Sequence, residues 1–192
     1  GFIPAILTKY GFSMNDLMKE VMEQKWDNKY WDTRRQKVLN KHARENNVIS
    51  GITQTANYAE GKGTIHAFKN MTIMDILKKE FMKIGEKFNF ACAEGNKYMD
   101  GGKKKNGIGW HGDSERRRVL SMRLGLNPSM PFYYRWKYKH KEIGQIMKWD
   151  INAGDVMVMS EWAVGAEWKK SSLVTLVHAT GANKYVKPKS DN

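Results

Sequence analysis

N-G-I-G-W-H-G-D-S-E-R-R-R-V-L-S-M-R-L-G, residues 106–125, is the stretch around which the rest of the chain is read. His111 and Asp113 flank one glycine, so on an extended backbone their side chains project to the same face. An imidazole and a carboxylate side by side offer two ligands to a divalent metal. A facial triad of two histidines and one carboxylate needs one more histidine and leaves its other positions open to exchangeable ligands. His178, which ends the β-branched run L-V-T-L-V-H, is the candidate. The tripeptide alone also describes a surface turn in which Asp113 accepts from a backbone amide and His111 is solvated. Context favours the metal: a glycine-rich approach, a strand-like segment after the pair, and a histidine on a second strand pattern. The other histidines fit less well. His140 sits in K-Y-K-H-K and reads as solvated or phosphate-contacting, while His42 and His66 precede the strand-rich half and read as structural.

With 192 residues, the chain has room for one domain with a sizeable core, and a single domain over 1–192 is expected. Hydrophobic residues make up 41% and charged residues 28%, which describes a folded chain and excludes a disordered one. No apolar run approaches about 18 residues, so no membrane span is expected. The opening G-F-I-P-A-I-L-T-K is too short and weakly apolar for a signal peptide. Cys92 is the one cysteine, so an internal disulfide is impossible and a reducing compartment, cytoplasm or nucleus, is expected. Lysine and arginine number 33 against 20 acids, a net charge of +13. That balance favours polyanions, nucleic acid ahead of an acidic membrane. The bases cluster at 34–41, 103–105, 116–118 and 135–141, several interleaved with Trp or Tyr that stack on bases.

Ser13 followed by Asp16 predicts a helix start, and Met14, Leu17, Met18, Val21, Met22 and Trp26 form a core-facing stripe behind it. Thr72 with Asp75 predicts a second start, with the stripe Ile73, Ile76, Leu77, Phe81, Ile84 and Phe88. Residues 28–49 are polar and basic without a clear period and read as one short strand within a long loop. From Phe88 onward β-like runs alternate with Gly, Pro and Asn: F-A-C-A, K-Y-M, R-V-L-S-M-R-L, F-Y-Y-R-W-K-Y, Q-I-M-K-W, D-V-M-V-M-S and L-V-T-L-V-H. Two helices followed by about eight strands predict an α+β, mainly β chain, with helical support over 1–88 and a sandwich or barrel over 89–186.

N-K-Y-M-D-G-G (96–102), I-G-W-H-G-D-S-E (108–115), V-L-S-M-R-L-G (119–125) and G-D-V-M-V-M-S (154–160) follow the order seen in AlkB-like 2-oxoglutarate, Fe(II)-dependent dioxygenases, which the chain resembles from about residue 35 to 185. N-K-H-A-R, H-G-D-x-E-R-R, M-S-E-x-A-V-G-x-x-W-K-K and T-L-x-H-A-x-G resemble uncharacterised relatives of that superfamily, many from large DNA viruses and algae, so a virus-encoded chain is one expectation. The resemblance implies a double-stranded β-helix, or jelly roll, buttressed by N-terminal helices. It also implies Fe(II) bound by His111, Asp113 and His178, with 2-oxoglutarate and dioxygen as co-substrates and a C–H bond oxidised. Asn96 and Tyr98 match the Asn-x-Tyr pair that hydrogen-bonds 2-oxoglutarate in that family.

The chain departs from the family in one respect: no arginine follows His178 to hold the distal carboxylate of 2-oxoglutarate. A carboxylate in a dry pocket needs a cation. Arg123 is the preferred candidate, because Ser121 and Arg123 alternate on the strand after H-x-D. Lys184 and Lys187 are the others. A second alignment puts Lys169 where the histidine belongs and leaves the triad incomplete. Three functions follow: an oxygenase hydroxylating or dealkylating a nucleobase in DNA or RNA, an oxygenase acting on a protein side chain or small metabolite, or a catalytically silent nucleic-acid-binding jelly roll. Trp162, Trp168 and the loop 40–44 are candidates for the mouth of the first. A monomer is expected.

Overall fold

Three helices lie in the first half of the chain in the computed structural model, which describes residues 1–98, 106–125 and 129–186. They are α1 (Phe2–Lys9), α2 (Met14–Met22) and α3 (Thr72–Ile84). The Ser13 box forms as expected: Ser13 Oγ accepts from Asp16 N at 3.2 Å, and Ser13 N donates to Asp16 Oδ2 at 2.8 Å. Helix α1 has no counterpart in the sequence expectation, because Pro4 and a short apolar run gave no period to read. Only Leu17 of the α2 stripe is buried, and Met22 is exposed. The expected Thr72–Asp75 box does not form. Met71 is the N-cap of α3, and the exposed amides of its first turn are taken by a neighbouring helix: Glu20 accepts from Ile73 N at 2.8 Å and Met74 N at 3.0 Å. A carboxylate at a helix N-terminus is favourable on both hydrogen-bonding and dipole grounds. The three helices pack together over Leu7, Leu17 and Leu77, all within 1% of full burial, and Phe2 stacks on Phe81 at 5.7 Å.

The polar stretch 28–49 holds three strands where one was expected. β1 (Lys29–Asp32) and β2 (Lys37–Asn40) make a hairpin, and β3 (Glu45–Ser50) is the centre of a sheet. The basic turn is closed by Asp32 Oδ1, which accepts from Arg35 N at 2.8 Å. β3 lies between β4 (Ile65–Ala67), parallel to it, and β5 (Ala93–Lys97), antiparallel. β5 is the run that composition placed at the start of the barrel, and its pairing with β3 draws it into the first half instead. The chain accordingly separates into two compact units, Gly1–Met99 and Asp100–Asn192, the first of them a mixed α+β unit rather than a helical one.

The second unit is built on β6 (Gly107–His111), β7 (Val119–Met122), β8 (Ser129–Tyr138), β9 (Lys141–Asn152), β10 (Val156–Met159), the short helix α4 (Glu161–Val164) and β11 (Thr175–Gly181). One sheet has the order β6-β11-β8-β9 and a second is the pair β7-β10, all antiparallel. Their facing residues form one cluster: Phe132, Tyr134, Met147, Ile151 and Leu176 from the first sheet, Val119, Met157 and Met159 from the second, with Val164 and Ala166. The other face of the larger sheet is closed by Tyr133, Ala179 and Val186 with Trp110 and Tyr185. Burial on both faces explains why β11 reads as apolar from Leu176 to Ala179 around His178. The whole is α+β and mostly β.

One buried carboxylate ties the first unit together. Asp27, 3% exposed, accepts from Tyr58 Oη at 2.8 Å, Thr64 Oγ1 at 2.7 Å and Thr64 N at 2.6 Å. Burial pushes its pKa up, but the hydrogen bonds from Thr64 and Tyr58 and the charge of Lys41 outweigh this, and the net direction is down. A depressed folded-state pKa gives stability that is present above the unfolded value of 3.8 and lost as pH falls below it. Asp27→Asn should therefore destabilise the protein by about 1–3 kcal/mol at neutral pH. Urea unfolding of both forms should show this difference shrinking as pH is lowered below the ordinary carboxylate range.

Candidate metal centre

The centre is assembled by strand register. β6 and β11 pair so that His111 stands opposite His178, and their rings lie 4.3 Å apart. His178 is in turn opposite Tyr134 on β8, so His111, His178 and Tyr134 form a row across three strands on the face that looks into the core. Asp113 lies past the end of β6 and is fixed through its backbone: Asp113 N donates to Val164 O at 2.9 Å. The intervening glycine is required by close approach. A Cβ on Gly112 would sit 2.4 Å from Gly165 O and 2.7 Å from Trp168 Cγ. Gly165, which terminates α4 at φ +71°, passes equally close to Leu176 O. The H-G-D turn, the end of α4 and β11 thus interlock at two glycines.

His111 Nε2 is 3.7 Å from Asp113 Oδ1, and one ligand atom from each of His111, Asp113 and His178 lies within 4.8 Å of the others. Among the described residues no other three histidine, cysteine or acidic side chains converge in this way. Asp113 and His178 are buried and His111 is half-buried, so the cluster has a protein floor and opens on the side of His111.

The protonation states suit a cation. His111 Nδ1 lies 2.8 Å from Gly109 O. A ring nitrogen facing a carbonyl carries the proton, which leaves the lone pair of Nε2 for a ligand role. Burial pushes His178 down to about 3, with the charges of His111 and Arg116 adding to it, so the ring is a neutral donor throughout the ordinary pH range. Its Nδ1 is buried without a hydrogen-bond partner. A buried polar atom in that state is costly unless a partner arrives, and a metal is one such partner. Phe132 stacks on the His178 ring at 5.6 Å and Tyr134 meets it edge-on at 6.0 Å, which fixes the imidazole plane. Two imidazoles and one carboxylate on one side of a site are the donor set of a facial triad. The residues present fit such a metal.

The remaining candidates are spread more widely. Backbone bonds Arg123 N to Asp155 O (3.1 Å) and Gly154 N to Arg123 O (2.8 Å) continue the β7–β10 ladder by one register. Alternation then puts half-buried Arg123 on the same face as Val119 and Ser121, toward the core. Asn96, on β5, and half-buried Tyr98 belong to the first unit. There Asn96 Oδ1 accepts from Arg44 Nε and Asn46 Nδ2, both at 2.6 Å. Lys184 is exposed with its amine 4.8 Å from the Tyr185 ring, and Lys187 and Lys103 to Lys105 lie outside the described residues. Lys169 is exposed, with its amine 5.7 Å from the Trp168 ring. His140 occupies the tight turn between β8 and β9 at φ +62°. Trp162 is 75% exposed, whereas Trp168 packs on Gly112. Tyr134 was missed by sequence reading. Burial, with the charge of Asp113 adding, pushes its pKa up to about 12. Its signal was present in the alternation of F-Y-Y-R-W-K-Y, but only the register shows which member meets the histidine.

The chain is similar to an uncharacterised protein, R156, of Acanthamoeba polyphaga mimivirus, with 39% identity over 173 residues. The match covers 90% of this chain and 66% of the viral protein, so the chain spans just under two thirds of that relative. No family model matches the chain, and no solved structure matches it.

Titration of the metal-free protein with a divalent ion such as Co(II), followed by calorimetry and visible absorption, should give one site. His178→Ala or Asp113→Ala should weaken it by more than the roughly 10- to 100-fold that loss of an outer partner costs. Lys169→Ala and His140→Ala should leave it unchanged. Retained binding in the first pair with loss in the second would reassign the ligands.

Proposed function

We propose that the protein is an Fe(II)- and 2-oxoglutarate-dependent oxygenase that hydroxylates or oxidatively dealkylates a nucleobase. The observation that carries the reading is the convergence of His111, Asp113 and His178 on the core-facing side of two paired strands. The strand pairing supports the fold that the resemblance implies. β6 pairs β11, β7 pairs β10 and β8 pairs β9, three nested antiparallel pairs split between two sheets. A long hairpin rolled into two facing sheets has that nesting, which is the winding of a jelly roll.

When bound, Fe(II) with 2-oxoglutarate and dioxygen supplies the oxidation of a C–H bond. The protein's part is positional. His111 and His178 would supply nitrogen ligands and Asp113 a carboxylate, all on one side, so the opposite side is left for exchangeable ligands. Phe132 and Tyr134 wall off the His178 side from water. Arg123, turned toward the core, is the candidate partner for the distal carboxylate of 2-oxoglutarate. Around the opening, Arg116 lies 3.5 Å from Asp113 Oδ2, and Arg117 and Arg118 are exposed beside it, Arg117 paired with Glu161. With a net charge of +13, a rim of this sign attracts a phosphate backbone to the opening.

The test is a screen of modified oligonucleotides and peptides with Fe(II) and 2-oxoglutarate, read by mass spectrometry for one added oxygen atom or a lost methyl group. Oligonucleotide oxidation abolished by His178→Ala is the expected result. Turnover on peptides alone would move the protein to the side-chain hydroxylases. Arg123→Met should weaken co-substrate affinity roughly tenfold or more, the worth of a charge-assisted bond of about 1.5–3 kcal/mol. Replacing Arg117 and Arg118 with Gln should flatten the salt dependence of binding. The log–log slope should fall by about 0.9 for each phosphate no longer neutralised on duplex, or about 0.7 on a single strand. Co-substrate decarboxylation without oligonucleotide should be unaffected.

A further inference from the structure

The register that aligns the histidines also places an aromatic row on their face of the sheet. Residues directly opposite in an antiparallel pair share a face, and alternate residues along a strand return to it. His178 is opposite Tyr134, so Phe132, Tyr134, Trp136 and Tyr138 of β8 share the face of His178 and His111. On β9 the partners are Trp149 for Phe132, Met147 for Tyr134, Ile143 for Trp136 and Lys141 for Tyr138. Phe132 and Tyr134 are buried under the second sheet. Beyond its cover the row emerges: Trp136 is 41% exposed, Tyr138 40% and Trp149 48%, with Ile143 exposed between them. Trp149 meets Tyr134 edge-on at 5.5 Å, and Tyr134 meets His178 at 6.0 Å, so the exposed ring is two aromatic contacts from the centre.

Large apolar rings left in water on one face are costly for a monomer and usually mark a contact surface. The charges around these rings choose the partner. Lys139 lies over the Tyr138 ring at 5.4 Å. Lys141 is opposite Tyr138, and Lys148 adjoins Trp149. The acids of the hairpin are engaged: Glu142 pairs with Arg135, and Asp150 lies 3.6 Å from Lys148. A row of rings with lysines at its margin suits a polyanion with flat apolar faces, and only an unpaired strand offers such faces, because duplex bases are stacked on one another.

We infer that Trp136, Tyr138 and Trp149 are a stacking platform for the bases of a single-stranded nucleic acid, laid along the sheet face that ends at His178 and His111. This rests on the nucleic-acid reading above and narrows it. The substrate strand arrives unpaired, its bases stack on the row, and the target base needs no extraction from a duplex to reach the metal.

The experiment measures anisotropy of a labelled oligothymidine and of a duplex of equal length, with intrinsic tryptophan fluorescence in parallel. The metal-free protein is used, so the readout does not depend on turnover. The single strand should bind more tightly than the duplex and quench the tryptophans. Trp136→Ala and Trp149→Ala should each weaken single-strand binding, by roughly 5- to 150-fold for the loss of one stacked base, without changing the salt slope. Trp136→Phe should restore most of the affinity, which separates stacking from loss of fold. Tyr30→Ala, an exposed ring on β1 outside the row, should change nothing. If duplex binds as well as single strand, or both alanine variants bind as the parent does, the platform is overturned, while oligonucleotide oxidation by the parent would leave the proposed chemistry standing. If the parent binds no oligonucleotide at low salt, platform and nucleic-acid reading fall together.

Discussion

The pairing of His111 with His178 across β6 and β11 is the constraint from which the second unit is best understood. Side chains alternate along a strand, so a slip of one residue would send one imidazole to the opposite face and break the row. Several local features hold the register. β6 carries glycines at 107 and 109, which allow close packing against β11 and the turn at Tyr185. Gly112 and Gly165 admit backbone where any side chain would collide, so the Asp113 turn seats against α4 in one position. The β11–β8 pairing runs unbroken from Thr175 to Thr180 and anchors His178 from the other side.

Such a centre works against stability in the absence of a ligand. Burying His178 forces it to stay neutral, leaves Nδ1 without a partner, and places it beside a second imidazole. An apolar residue there, stacked on Phe132 and edged by Tyr134, would satisfy the same packing at lower cost. The other face of the same sheet shows the ordinary solution. Buried Arg135 is paired with Glu142 and lies 4.7 Å over the Trp110 ring, and Trp110 Nε1 donates to Val186 O at 3.2 Å. One face sets its buried arginine against a carboxylate and an aromatic ring, and the other brings two histidines and a carboxylate together. That asymmetry within one sheet is the physical argument for a site rather than a core.

The sequence made the local patterns legible and concealed most of the pairings. H-x-D and the histidine ending L-V-T-L-V-H were readable because alternation and residue chemistry are local properties. The Ser13–Asp16 box was readable for the same reason. The Thr72 box failed because Glu20, distant in sequence, supplies the acceptors that a local cap would have supplied. Residues 28–49 concealed β1 and β2, since exposed hairpin strands carry no apolar alternation to detect, and concealed β3 because its residues 45–47 are polar. β5 was assigned with the later strands by proximity in sequence, yet its partner β3 precedes it by more than forty residues. Tyr134 could not be singled out among the five aromatic residues of β8 until the register with His178 was known.

The positions of the aromatics and the charges bear on each other through the same alternation. In F-Y-Y-R-W-K-Y the members that share the face of His178 are all aromatic, while Tyr133, Arg135 and Lys137 turn to the other face. A sheet serving only to close a core would need rings as far as the second sheet reaches and polar residues beyond. Here the rings continue past that cover to Trp136 and Tyr138, and the lysines between them point to the opposite side. The edge strand β9 follows suit, presenting Trp149 and Ile143 on the same face, although exposed apolar residues on a long edge invite association. An arrangement that extends an apolar surface outward from a metal-competent centre, and brings positive charge to its margins, has a physical reason if a flat, anionic chain must lie along it.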